Sequence, residues 1–326
     1  MFRLSLFRQL TVLSVLFVAG TASFAQGFPN KPIRLVVQLG SGGSTDVAMR
    51  LVAQQMGPLL GQTVVVENKA GANGLLAVNE LLRSEPDGYT LMSAEAGQWA
   101  ILPASRTDLT YHPQRDFAPV GLVFEATPFI VARDSLPVGS LKELIALAKA
   151  KPGTLSYGVP ALGGVHHIAM ESLKAALGLD IQVIGYKGGG QSVEALTRGD
   201  IPLVMSGVVA TSSLLQAGKA KLLAYTGRAR AKEAPDLPTV AEVTGMPDLY
   251  FLGQSGLLAP RGTPRDVIDR LSAALGKAAL HPEVVARAAK FGIWMTPSSP
   301  EQLAEIIRDD LQKYAKAVKV TGIRLQ

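Results

Sequence analysis

The residues best suited to chemistry in this chain stand together in Leu39-Gly40-Ser41-Gly42-Gly43-Ser44-Thr45-Asp46. Glycines let successive backbone N–H groups converge without a Cβ in the way, and three hydroxyls can donate to a carboxylate or cap a helix. The apolar run Ile33–Val37 precedes the loop, and Val47, Ala48, Leu51, Val52 and Met56 follow it at helical spacing. Strand, glycine loop and helix start together make a cradle for a small anion, because the first turn of a helix offers unsatisfied N–H donors and partial positive charge. The loop has neither the Lys-Ser/Thr ending of a P-loop nor the third glycine of a dinucleotide fingerprint, so nucleotides are disfavoured. A loop that merely turns the chain is the competing reading.

A second loop, Gly158-Val159-Pro160-Ala161-Leu162-Gly163-Gly164-Val165-His166-His167, repeats the arrangement after the strand-like Leu155-Ser156-Tyr157. Catalysis has little material here. No Gly-x-Ser-x-Gly turn occurs, cysteine is absent, and Asp46 and Glu95 are the only acids near the first loop's face. His166 and His167 are adjacent, so on a helix they point about 100° apart and do not simply share a metal. His112 and His281 each lie beside a proline. The residues favour a binder over an enzyme, with no metal or cofactor expected. His167 is expected either to hold its loop by a hydrogen bond or to touch the ligand.

The elements that must position these loops follow from pattern. Thr63–Glu67 and Tyr89–Met92 read as strands, with a helix through Leu75, Val78, Leu81 and Leu82 between them, so the fold class is α/β with parallel βαβ units. The loop Ala94–Trp99 follows a strand end and belongs on the cradle's face, since ligands in open α/β sheets bind beyond the carboxyl ends of strands. A second series begins near Phe129. Ser140–Glu143 and Ser299–Gln302 read as capping boxes, and Thr263-Pro264 and His281-Pro282 as further helix starts. Residues 234–250, rich in Pro, Asp and Gly, read as a surface connection, and Gly256–Pro260 returns the chain to the first unit. The three closing helices are expected to brace the fold.

With 326 residues and 48% hydrophobic composition, the chain can build two proper cores. Arg3 and Arg8, the apolar stretch 10–20 and small residues at Ser23 and Ala25 read as a signal peptide cleaved after Ala25, which implies export to the periplasm. Losing two arginines lowers the formal charge from +6 to +4. No basic cluster with interleaved aromatics occurs, so nucleic acid is not an expected partner.

Several short stretches carry a resemblance: Pro29–Ile33, Gly42–Asp46, Val65–Lys69, Pro86–Leu91, Asp116–Val120, Tyr186–Gly188, Ala217–Lys219, Leu237–Glu242 and Leu257–Pro260. In this order, from about residue 28 onward, the chain resembles the Bug-type (TctC-like) substrate-binding proteins of tripartite tricarboxylate transporters. The resemblance implies a two-lobed clamp of the type II periplasmic-binding-protein style, each lobe a mostly parallel sheet flanked by helices. Lobe I would comprise residues 26–126 and 251–326, and lobe II residues 127–250. It further implies a small organic carboxylate ligand, delivery to a membrane permease of tripartite tricarboxylate type, and a monomer. The implied ligand-binding residues are Leu39, Gly40, Ser41, Gly42, Gly43, Ser44, Thr45, Asp46, Gln98, Trp99, Gly163, Gly164, Val165, His167 and Ser206.

Departures from the family pattern fall in those loops. Gln38-Leu39-Gly40-Ser41-Gly42-Gly43 stands where Pro-Phe-Ala-Pro-Gly-Gly is usual, and Ala161–Gly164 lacks a hydroxyl that commonly faces ligand. Met205-Ser206-Gly207 replaces Phe-Asp, which removes a counter-charge for an amino group. Trp99 stands where His is frequent. With Leu39, Leu162 and Val165 it implies a carboxylate with an aromatic or aliphatic body rather than citrate or an amino acid, unless these side chains pack beneath the loops. Two other roles remain open on sequence alone: a periplasmic hydrolase or isomerase using His167 with a loop serine, and a ligand-sensing subunit for a receptor kinase.

Overall fold

Apart from Arg34, Ile33–Val37 is apolar, and it forms β1, a strand buried along most of its length. In this computed structural model, which describes residues 27–207, 209–232 and 234–324, β1 pairs in parallel with β2 (Val64–Asn68) and β3 (Thr90–Glu95) on either side. Helices α1 (Ser44–Leu60) and α2 (Leu75–Arg83) make the two crossovers. Because β1 is followed by β2 on one side and then by β3 on the other, the chain reverses its direction of travel there. The ends of β1 and β3 therefore bound the crevice where ligands of open α/β sheets bind.

Three more strands complete a six-stranded sheet of order β11-β4-β10-β3-β1-β2: β4 (Phe117–Glu125), β10 (Gln254–Pro260) and β11 (Trp294–Met295). A five-stranded sheet of order β7-β6-β8-β5-β9 is built from β5 (Phe129–Arg133), β6 (Leu155–Val159), β7 (Ile181–Gly185), β8 (Leu203–Ser206) and β9 (Ala220–Tyr225). The α/β class holds, but both sheets are mixed rather than mostly parallel. β10 arrives from the second sheet and runs antiparallel to both β3 and β4, and β5 runs antiparallel to both β8 and β9.

The two stretches of chain that pass between the sheets are hydrogen-bonded to one another. Ala126 N–H donates to Gly253 O at 2.6 Å, Phe251 N–H to Thr226 O at 2.8 Å, and the buried Thr226 hydroxyl lies 2.9 and 3.0 Å from the carbonyls of Pro128 and Phe251. Position 253 must be glycine for steric reasons, since a Cβ there would stand 2.2 Å from Ala126 O.

Helices α3 (Leu141–Ala150), α4 (Val165–Leu177) and α5 (Gly189–Arg198) cover the second sheet, and α6 (Arg265–Ala279) and α7 (Pro282–Ala289) pack with α1 and β4 in the first. The last helix, α8 (Pro300–Thr321), opens on a complete Ser299/Gln302 capping box. Its stripe Leu303, Ile307, Tyr314 and Val318 is buried. It packs on β4, on the turn after β3 and on α4, so it touches elements of both sheets.

Some local expectations are corrected. Ser140 accepts the Glu143 N–H, but the Glu143 carboxylate takes the N–H of Gly139, so the reciprocal half of that box is missing. Pro264, not Thr263, precedes α6; the Thr263 hydroxyl is 2.8 Å from Pro260 O. The connection 234–250 contains a helical turn, Val240–Thr244, with its own Thr239/Glu242 capping box. β4 had no anticipation, because Pro119 interrupts its apolar pattern. Among the described residues no helix is long and apolar enough to cross a membrane. The signal peptide reading, residues 1–25, lies outside the described residues.

Candidate ligand-binding site

The two glycine loops have the same backbone. In the first, Gly42 has φ +82° and Gly43 is extended (φ −78°, ψ 168°) just ahead of α1. In the second, Gly163 has φ +76° and Gly164 is extended (φ −83°, ψ 172°) just ahead of α4. The left-handed residue must be glycine at low cost, and it swings the chain so that the helix starts at once. Each loop is then tied by the same i, i+4 bond: Gly42 N–H donates to Asp46 Oδ2 at 2.9 Å, and Gly163 N–H to His167 Nδ1 at 3.0 Å. Both loops follow a strand's carboxyl end, and neither contains Lys or Arg. The first intrahelical bonds are Val47 N–H to Gly43 O and Ile168 N–H to Gly164 O, so the N–H groups of residues 44–46 and 165–167 have no helical acceptor.

Asp46 and His167 thus hold loops rather than reach outward. Asp46 is 3% exposed, and its carboxylate also receives Arg50 Nε at 3.0 Å and Asn68 Nδ2 at 2.9 Å. Asn68 in turn donates to Leu39 O, bolting the far end of the loop to β2. Burial opposes ionisation of Asp46, but the bonds from Arg50, Gly42 and Asn68 outweigh it and hold its pKa below the usual value. His167 is 6% exposed, and burial pushes its pKa down. A Nδ1 that accepts from Gly163 fixes the neutral tautomer with the proton on Nε2. His166, the next residue back, is pushed down to about 4 by burial.

Other expected ligand contacts are spent internally. The Thr45 hydroxyl donates to Glu95 Oε1 at 2.7 Å. Gln98 Oε1 accepts from Glu95 N–H and Gln98 Nε2 donates to Asn73 O, both at 3.0 Å, so its amide pins two backbone segments. The loop expected at 97–99 is a π-helical turn, Gly97–Ile101. Trp99 in it is corrected from a cleft residue to a core residue: it is 0% exposed, and its indole N–H donates to Asp310 Oδ2 on α8 at 2.8 Å. Burial raises the Asp310 pKa to about 6 despite that bond. Val165 is 7% and Ser206 2% exposed, the latter closing β8 opposite Phe129.

What remains at the surface is Leu39 (38% exposed), Gly40, Ser41, Gly42, Gly43 and Ser44 from the first loop, and Leu162 (49%) with half-covered Gly164 from the second. Sequence reasoning named Gln38 and Glu95 and gave no positioning role to them or to Asn68. Gln38 is 1% exposed; Ser93 donates to its Oε1, and its Nε2 has no hydrogen-bond partner among the described residues. Asn73 Nδ2, in the loop after β2, is likewise buried without a partner. Buried amide donors of this kind call for an explanation, and both belong to segments at the carboxyl ends of the first sheet's strands. The signal for the two loop ties was present in the sequence as Gly-Gly followed, four residues after the first glycine, by an acceptor side chain.

Known proteins share this architecture. Protein BugT of Bordetella pertussis is 32% identical over 323 residues, covering 98% of this chain and 99% of the relative. Among solved structures, R. palustris Rpa4515 with adipate superposes with a TM-score of 0.83 at 30% identity, covering 91% of this chain and 99% of the other. MatC (Rpa3494) from Rhodopseudomonas palustris with bound malate gives 0.80 at 29% identity, covering 89% and 100%. The model of the tripartite tricarboxylate transporter family receptor, TctC, matches residues 48–323. With a match of that extent, on two mixed α/β sheets and paired glycine loops, the chain belongs to the TctC family of solute-binding receptors.

Proposed function

We propose that this protein is a periplasmic receptor that captures a small organic carboxylate between two lobes and delivers it to a membrane permease of the tripartite tricarboxylate type. The lobes are residues 26–126 with 251–326, and residues 127–250. The observation that carries the reading is the pair of matching loops, each offering helix N-terminal N–H groups and no cationic side chain. Such donors bind a carboxylate through charge-assisted hydrogen bonds without the desolvation cost of a buried guanidinium. Binding favours the closed arrangement because each lobe supplies part of the donor set, so closure pays off only with ligand present. Similar proteins solved with adipate and malate support the ligand class.

The ligand's body is read as aliphatic or aromatic, from Leu39 and Leu162 at the loops. Trp99 and Val165, being buried, no longer contribute to that argument. A hydrolase using His167 is disfavoured, since its Nδ1 is occupied by Gly163 and no serine hydroxyl bonds to it among the described residues. The protein is read as a monomer that releases its ligand unchanged.

The experiment is a thermal-shift and calorimetric screen of chain from Gln26 onward, refolded to strip bound solute, against adipate, malate, terephthalate and citrate. A ligand at about 100 times its Kd stabilises by roughly 2.7 kcal/mol, which moves Tm by roughly 4 °C. Preference for citrate would refute the apolar body, and a panel with no shift would refute the carboxylate reading. Uptake into vesicles carrying the permease tests delivery.

A further inference from the structure

The two glycine loops share a backbone but differ in the chemistry of the bond that ties them. Gly42 N–H is received by the Asp46 carboxylate, which also takes bonds from Arg50 and Asn68, and Gly163 N–H is received by His167 Nδ1 at 3.0 Å. A carboxylate held in this way stays an acceptor far into the acid range. Imidazole accepts only while it is neutral, and both of its nitrogens are donors once it takes a second proton. A proton on Nδ1 would set two N–H donors against each other across 3.0 Å, so the bond is lost and the loop has to turn away. The first loop has a second fastener as well, Asn68 Nδ2 to Leu39 O at 3.0 Å.

The charged groups that act on His167 lie on its own helix: Glu171, which favours the imidazolium, and Lys174, which opposes it. Lys174 Nζ is 2.6 Å from Glu171 Oε1, and the Tyr157 hydroxyl of β6 donates to the same oxygen at 2.6 Å, so that acid is already engaged. Of the elements packed on α4, β8 carries no charged side chain, and α8 carries Asp310, bonded to Trp99, and Lys313, seated over the Tyr250 ring. Neither acts on His167, and His166 points about 100° away around the helix. We infer that His167 is a positioning residue that makes ligand binding acid-labile: protonation of its ring unties the second loop and frees the anion from the second lobe, while the first loop stays set. Burial and the positive end of α4 both favour the neutral ring, so the tie is complete above the ordinary imidazole value and is lost as pH falls below it through the folded one. A ligand that needs the tied loop binds the protonated protein less well, and by reciprocity its binding in acid expels a proton. The inference rests on the receptor function proposed above and assigns the pH sensitivity of that site to one lobe.

The test measures affinity for adipate and malate by calorimetry from pH 7.5 to pH 5, in wild type, His167→Asn and His167→Ala. Asn has the reach of Asp46 and offers Gly163 an acceptor that does not titrate. Wild type and His167→Asn meet the same ligand carboxyls and keep the same His166, so the difference between their pH profiles belongs to His167. Wild-type affinity is expected to fall roughly tenfold further than that of His167→Asn over this range. At pH 7.5, His167→Ala is expected to bind roughly tenfold more weakly than wild type, with His167→Asn recovering part of that loss. Amide exchange in the wild type supplies a measurement that needs no variant: protection of the Gly163 N–H should be lost on acidification while that of the Gly42 N–H is kept. Parallel profiles for wild type and His167→Asn, a wild-type affinity that rises in acid relative to His167→Asn, or Gly163 protection that persists while the imidazole titrates would each overturn the inference and leave the receptor reading intact. Failure of the wild type to bind either acid at pH 7.5 would bring down both.

Discussion

Replacing Asp46 by alanine removes the one acceptor on which the first loop converges. Three donors lose their partner at once: the Gly42 N–H at 2.9 Å, Asn68 Nδ2 at 2.9 Å and Arg50 Nε at 3.0 Å. Hydrogen bonds to a charged group contribute roughly 1.5–3 kcal/mol each but do not add. The Arg50 side chain is 49% exposed and water takes over its share, which leaves about 3 kcal/mol for the Gly42 and Asn68 bonds together. In a chain of this size that lowers Tm by roughly 5 °C. The loss also has a pH signature. The pKa of Asp46 is depressed on folding, so its contribution is present above the ordinary carboxylate value and disappears as pH falls through the folded one. Melting of wild type and Asp46→Ala between pH 7 and pH 2 should therefore show two curves that converge at the acid end. Asp46→Asn, which keeps an oxygen for Gly42, should lie between them at pH 7. Equal melting temperatures at pH 7, or a gap that persists undiminished at the acid end, would show that the carboxylate does not hold the loop.

Three further outcomes are expected. His166 is neutral in the fold and pushed down to about 4, so stability falls as pH drops from 6.5 towards 4, by up to about 3 kcal/mol; His166→Gln should flatten that part of the melting profile. Trp99→Phe leaves Asp310 buried without its donor and should cost about 2 kcal/mol in denaturant unfolding, while ligand affinity stays within twofold because the indole faces the core. Gly42→Ala meets no atom within 4 Å of the new Cβ, so its cost is the left-handed backbone alone, about 1–2 kcal/mol, and a free energy of unfolding equal to wild type would contradict the assigned conformation.

The glycine loops, most strands and the Ser299 capping box were legible because each depends on neighbours within a few residues. Asn68 bolting Leu39, or Asp310 receiving Trp99, joins residues 29 and 211 positions apart, and no local pattern marks such a bond. Trp99 read as a cleft residue because it follows a strand end; α8, two hundred residues later, covers it. Parallel pairing was over-extended for a similar reason. The βαβ rhythm of residues 33–95 is parallel, but β5 and β10 join the sheets by crossing between them, and the direction in which they enter is set by the connection. The capping box at Thr239–Glu242 was visible in letters, yet the Pro, Asp and Gly around it concealed one short helical turn.

The burial of Trp99 has an optical consequence. The chain has two tryptophans, and this one lies out of water with its N–H on the Asp310 carboxyl, which burial pushes up to about 6. Intrinsic fluorescence therefore contains a built-in probe of the contact between the first sheet and the last helix: emission from Trp99 should shift with the protonation of Asp310 and with any sliding of that helix against the turn, so that ligand-driven movement can be followed without attaching a dye.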